Sequence, residues 1–262
     1  FALYLKELRS FLSSITGYVV ITVFLVTIGL FLWFFPNEFN VLDYGYANLD
    51  GLFVVAPIVF LFLVPAVTMR MFSEEKKSGT IELLLTRPLS DIQIVTAKFL
   101  AAVTLIVFAL VPTLVYVFSI SKLGFPPGNL DYGSIWGSYI GLLFLGATFA
   151  SIGVFASSLS DNQVISFIIA IVLSAFSYLG FEFLYSINIF GNLDLFIRSL
   201  GISSHYSSIS RGVMDTRDVI YFLSVILLFL YLTNFSLSKS LFITSAFSRF
   251  DFINLCLAYV ED

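Results

Sequence analysis

The chain has 262 residues, of which 59% are hydrophobic and 11% charged, and its mean hydropathy is +1.00. A water-soluble fold of this size could not cover so much apolar side chain, so lipid is the solvent and an all-α polytopic membrane protein is the fold class expected. The net charge of -4 leaves no basic surface for nucleic acid, and the single cysteine, Cys256, excludes an intrachain disulfide framework or a cysteine metal cluster.

At the start, Leu3, Leu5, Leu8, Phe11, Leu12 and Ile15 are interspersed with Lys6, Glu7, Arg9 and Ser13. This amphipathic pattern suits a helix lying in the membrane interface, although a cytoplasmic extension of the first span would carry it too. Six apolar segments long enough to cross a bilayer follow, at about residues 18–35, 52–72, 94–121, 135–159, 164–186 and 219–237. The first is preceded by Lys6 and Arg9, as a signal peptide would be. It is nevertheless too long for a signal core and has no small-residue cleavage site before Pro36, so it is expected to remain as a membrane helix.

Orientation follows from Lys and Arg. With the N-terminus inside, Lys6, Arg9, Arg70, Lys76, Lys77, Arg87, Lys98, Lys239 and Arg249 are cytoplasmic. Lys122, Arg198, Arg211 and Arg217 are then external, which divides the 13 basic residues nine to four. Both termini are therefore expected in the cytoplasm. The longest external connection, residues 188–218, carries Leu193, Leu195, Phe196, Ile197, Leu200, Ile202, Ile209 and Val213. A loop this apolar should pack on the membrane face or dip back into the bundle. Residues 1–240 read as one transmembrane domain, and residues 241–262 as a mixed cytoplasmic tail.

The most informative segment lies between the second and third spans, from Ser73 to Pro88. Its charged start ends the second span, Gly79 permits a sharp turn, and Thr80 can cap a short helix with Glu82 in its first turn. Leu83, Leu84 and Leu85 give that helix an apolar face, and Pro88 stops it. Such a helix suits either a partner surface or a connector resting on lipid headgroups.

Other candidates are sparse. Glu182, near the outer end of the fifth span, could contact a proton or substrate within the membrane or simply reach the interface. Arg70 can extend to the inner headgroups. Pro57, Pro65 and Pro112 could kink the second and third spans. Gly137, Gly141, Gly146, Ala147, Ala150, Ser151 and Gly153 give the fourth span small side chains suited to close packing. His205 is the only histidine, so a histidine-based metal site within one chain is excluded, and Ser203, Ser204 and Tyr206 beside it make no catalytic triad by adjacency. There is no G-x-x-x-x-G-K-[ST] phosphate loop, so nucleotide hydrolysis would have to come from another chain.

The run EEKKSGTIELLLTRPLS resembles the signature loop of type-2 ABC exporter permeases, which follows the second span and lies against the nucleotide-binding subunit. KELRSFLSSITGYV resembles that family's connecting helix, and SISRGVMDTRDVIYFLSVILLFLYLT its approach to the sixth span. The resemblance covers about residues 1–240. It implies that Glu74, Glu75, Ser78, Gly79, Thr80, Glu82, Leu83 and Leu84 form a coupling helix docking into a separate ATPase, which binds the ATP and magnesium. It also implies a dimer with a second copy or a sibling permease, a bacterial inner membrane location and re-entrant helices in the external loop. Within the family the likeness is nearest to the gliding-motility-associated ABC transporter permeases, which implies a role in gliding motility. An ion- or proton-coupled secondary transporter and a non-transporting membrane scaffold are the competing expectations.

Overall fold

The computed structural model describes the backbone of residues 1–43, 48–80, 90–124, 130–187, 194–212 and 214–258. Side chains are described as far as Ser238, Asp194 and Leu195 excepted. Among the described residues there is no strand, and six helical stretches are long and apolar enough to span a membrane.

The N-terminal helix α1 (Ala2–Leu12) is separate from α2 (Ile15–Trp33), the first span. The Ser14 side chain accepts from the Thr16 amide and caps α2. A Cβ at Gly17 would lie 2.4 Å from the Phe11 carbonyl oxygen, so only glycine lets the two helices turn this tightly. α1 is thus a helix of its own, and the simple extension of the first span is not what forms. The expected end at Phe35 falls slightly earlier, because the amides of Phe34 and Phe35 both close onto the Leu30 carbonyl and stop the helix before Pro36.

The second span, α3 (Asp50–Thr68), keeps Pro57 and Pro65 within the helix. It passes through Met69, still right-handed helical, into α4 (Arg70–Lys77). The third span is divided: α5 (Asp91–Leu110) gives way to a 3-10 turn at Val111–Thr113 and then α6 (Leu114–Leu123). Pro112 lies in that turn, and the Thr113 hydroxyl donates to the Leu110 carbonyl at 2.6 Å. The fourth span is α7 (Tyr132–Leu159) and the fifth α8 (Gln163–Ala175), continued through a π turn at Phe176–Gly180 into α9 (Phe181–Ile187). Short helices α10 (Asp194–Ser199) and α11 (Ile202–Ile209) precede α12 (Thr216–Ala258), which contains the sixth span.

Spans four and two form the centre, with 78% and 67% of their apolar windows buried, against 22% for the first span and 17% for the fifth. Small residues make this possible. A Cβ at Gly153 of α7 would lie 2.0 Å from the Thr68 Oγ1 of α3, and one at Gly141 would meet the Ile209 side chain at 2.6 Å. The small-residue stripe is therefore a packing surface.

α10 and α11 close one end of the bundle, called here the top. Ile202, Tyr206 and Ile209 are buried, and the Tyr206 hydroxyl donates to the Phe53 carbonyl at 2.7 Å. Burial, and secondarily Tyr178, hold that phenol well above the ordinary tyrosine range, so it remains a donor. Ser138 donates to the Ser210 carbonyl at 2.7 Å. Of the apolar residues of this connection, Ile202 and Ile209 fold back onto the spans, while Phe196 and Leu200 are exposed; Leu193, Val213 and the Leu195 side chain lie outside the described residues.

Candidate functional site

The opposite end, the base, holds an assembly of charged and hydroxyl side chains around α4. Apolar residues of α3 anchor the second span up to Val67, and the next turns bring polar groups against spans three and four. Ser157 of α7 occupies the junction of α3 and α4. Its hydroxyl accepts from the amides of Phe72 at 2.8 Å and Ser73 at 3.2 Å, and donates to the Met69 carbonyl at 3.1 Å. A side chain of the fourth span is thereby inserted into the backbone ladder of the second, a recognised cause of helix bending.

One face of α4 carries Glu75 towards Lys98 of α5. Lys98 is fully buried, yet its ammonium meets Glu75 Oε2 at 3.0 Å, Glu7 Oε1 at 3.1 Å and the Met71 carbonyl at 2.6 Å. It also lies 5.0 Å above the Phe72 ring. Lys6 adds a second cation, 3.4 Å from Glu75 and 3.6 Å from Glu7. Two carboxylates and two ammonium groups thus join α1, α4 and α5 in a neutral cluster, the condition for tolerating buried charge. Lys76 reaches the other way and donates to the Ser158 carbonyl at the end of α7, which also accepts from Ser236 of α12.

The residues expected to couple to an ATPase divide into distinct groups here. Glu74, Ser78, Gly79 and Thr80 are exposed at the far end of α4. Gly79 has a φ of 68°, the left-handed conformation that ends a helix most easily at glycine. Ser78 donates to the Glu74 carbonyl at 2.8 Å and shares a 2.8 Å hydrogen bond with Thr80. Glu75 instead turns inward to Lys98. Glu82, Leu83 and Leu84 lie outside the described residues. Glu182 is exposed on α9. Arg70 has its guanidinium 4.5 Å over the Phe11 ring and 3.4 Å from the Ser14 hydroxyl, so it is held by α1 and its junction with α2.

The sequence puts Glu7 among the polar residues of an amphipathic helix and Lys98 on the cytoplasmic side, and does not show that they pair. The available signal was an isolated lysine within the apolar period of the third span, where an ionisable residue calls for a partner. Ser157 gave no signal beyond its small size.

The top contains a second polar group. The Nδ1 of His205 is 2.6 Å from Asp218 Oδ1, Nε2 is 2.8 Å from the Ser199 carbonyl, and the ring stacks on Tyr221 at 3.9 Å. Both nitrogens are engaged, so neither is available to take a proton from a neighbouring serine. The arrangement ties α10, α11 and α12 together and supplies no nucleophile.

A model of the family described as ABC-2 family transporter protein matches residues 2–251. No curated protein matches the chain.

Proposed function

Because this chain belongs to the ABC-2 transporter family, we propose that it is the permease of an ATP-driven exporter, coupled to a separate ATPase through residues 74–84. The observation that carries the reading is the connection of α4. This segment runs from the second span to the exposed Gly79 turn, and it is bonded on the way to spans three and four and to α1. A push on the turn would be passed to those three elements rather than absorbed by a loose loop. The chain supplies the pathway and the docking segment, while ATP and magnesium bind to the partner.

On this reading the base faces the cytoplasm, as the basic residues predict, and both termini lie there. A second copy or a sibling permease completes the pathway in a bacterial inner membrane. The motility role rests on sequence likeness alone. Glu182, the carboxylate the sequence offers a secondary transporter, is exposed, and the inward-facing Glu7 and Glu75 are paired with Lys98 at the base.

The test is co-purification of wild type and Glu82→Arg from the membrane, with the bound proteins identified and their ATP hydrolysis measured. Wild type should retain a phosphate-loop ATPase and the variant should lose it. A solubilised, folded wild type that retains no ATPase in several detergents would overturn the proposal. An ATPase that binds but whose hydrolysis is indifferent to the permease would favour the scaffold.

A further inference from the structure

We propose that His205 and Asp218 are a proton-operated latch on the top of the bundle, closed while a proton lies between them and released as rising pH removes it. The imidazole is held from both sides. Nε2 is 2.8 Å from the Ser199 carbonyl oxygen, which can only accept, so Nε2 carries a hydrogen. Nδ1 is 2.6 Å from Asp218 Oδ1, and two lone pairs would repel at that distance. A second proton therefore lies on this line, and with the carboxylate ionised the ring is an imidazolium. Once that proton passes to water, a neutral imidazole and a carboxylate face each other lone pair to lone pair, and the contact opens.

Among the described residues, no neighbour replaces the lost proton. The titratable side chains that face the ring are Asp218 and Tyr221, both of α12. Tyr221 stacks on the ring, and its hydroxyl is committed to the Leu200 carbonyl at 2.6 Å. α7 and the π turn also pack on α11; neither has an Asp, Glu, Lys or Arg, and Tyr178 of the π turn faces Tyr206 instead. On α10 the Arg198 guanidinium lies over the Tyr185 ring, 5.1 Å from its centre, and the Asp194 side chain lies outside the described residues. Arg217, beside Asp218 in the chain, is exposed.

The latch acts where α10 ends. Ser204 donates to the Arg198 carbonyl at 2.9 Å, His205 to that of Ser199 and Tyr221 to that of Leu200. Three successive carbonyls are thus closed by side chains of α11 and α12, and a cation suits this end of a helix. α11 in turn covers the central spans, through Tyr206 on the Phe53 carbonyl and, just beyond it, the Ser210 carbonyl on Ser138. Release of His205 therefore loosens the cover over spans two and four, at the pH of the side on which the cap lies.

His205 is the only histidine, so nitrogen-15 histidine labelling of the full chain in detergent gives a single imidazole spectrum. At about pH 6 both ring nitrogens should be protonated, and Nδ1 should lose its proton as the pH is raised towards about 9. Over the same range the hydrogen-exchange protection of the α10 and α11 amides, expressed against intrinsic rates, should fall roughly tenfold and in step with the spectrum. Protection in the middle of α7 should not change. In His205→Gln, which has no such proton to lose, the cap should be less protected than wild type in acid and equally protected across the range. A bare Nδ1 at the acid end, equal wild-type protection at both ends, or an equal fall in His205→Gln overturns the latch. The wild-type spectrum and protection decide the matter even where the variant does not fold.

Discussion

Lys98 Nζ and Glu75 Oε2 lie 3.0 Å apart and join the third span to the segment leading out of the second. The same ammonium is 3.1 Å from Glu7, so one buried cation organises two carboxylates from different helices. Lys98→Met leaves those carboxylates facing each other with only the exposed Lys6 nearby. A loss of about 3–5 kcal/mol is expected, as for other buried pairs broken on one side. Adding Glu7→Gln and Glu75→Gln to the same chain should recover part of the loss. Thermal unfolding of the variants in one detergent checks this, and additive effects would contradict the cluster.

Ser157→Ala removes the acceptor of two amides, Phe72 and Ser73, and costs roughly 1–3 kcal/mol. Hydrogen exchange should accelerate at those amides and not along the middle of α3. In the assembled transporter the ATPase should still co-purify, because Ser157 lies away from the exposed turn, while the permease's influence on hydrolysis falls. Loss of binding as well would show that Ser157 supports the whole base rather than passing on motion.

Gly153→Ala places a methyl group against Thr68 Oγ1, where the fourth span packs on the second. Overpacking of about 1–3 kcal/mol is expected. In the Thr68→Ala background the penalty should shrink, because the hydroxyl that the methyl meets first is gone. Equal penalties in both backgrounds, read from melting curves, would argue against this contact.

At the top, His205→Leu and Asp218→Asn remove opposite sides of one 2.6 Å contact. Each should loosen α10 and α11, and the double variant should be little worse than the histidine variant alone. Limited proteolysis of residues 194–212 measures this. Full additivity would mean that the two side chains stabilise the cap independently.

The spans themselves were legible because each is a local property. Apolar length against bilayer thickness predicted six helices, and the segments agree within a few residues at most ends. The divided third span was foreshadowed by Pro112, and the close packing of the fourth by its glycines. The inward turn of Glu75 was not legible. Its neighbour Glu74 has the same charge, and only the phase of α4 against α5 makes one exposed and the other paired. Glu7 was legible only as a polar position of an amphipathic helix, since helical periodicity separates polar from apolar without naming what lies opposite.

By itself the sequence determined that this chain lives in lipid, how often it crosses, and that a short polar segment leaves the second span. Composition and run length set those features through the cost of exposing hydrocarbon to water and backbone to lipid. The tertiary structure decided which polar groups meet: Lys98 with Glu7 and Glu75, Ser157 with the backbone of α4, and His205 with Asp218. Phe72 and Ser157 are 85 positions apart in the chain, and Glu7 and Lys98 are 91. No local pattern links residues so distant, and only the packing of one helix against another brings them within hydrogen-bond reach.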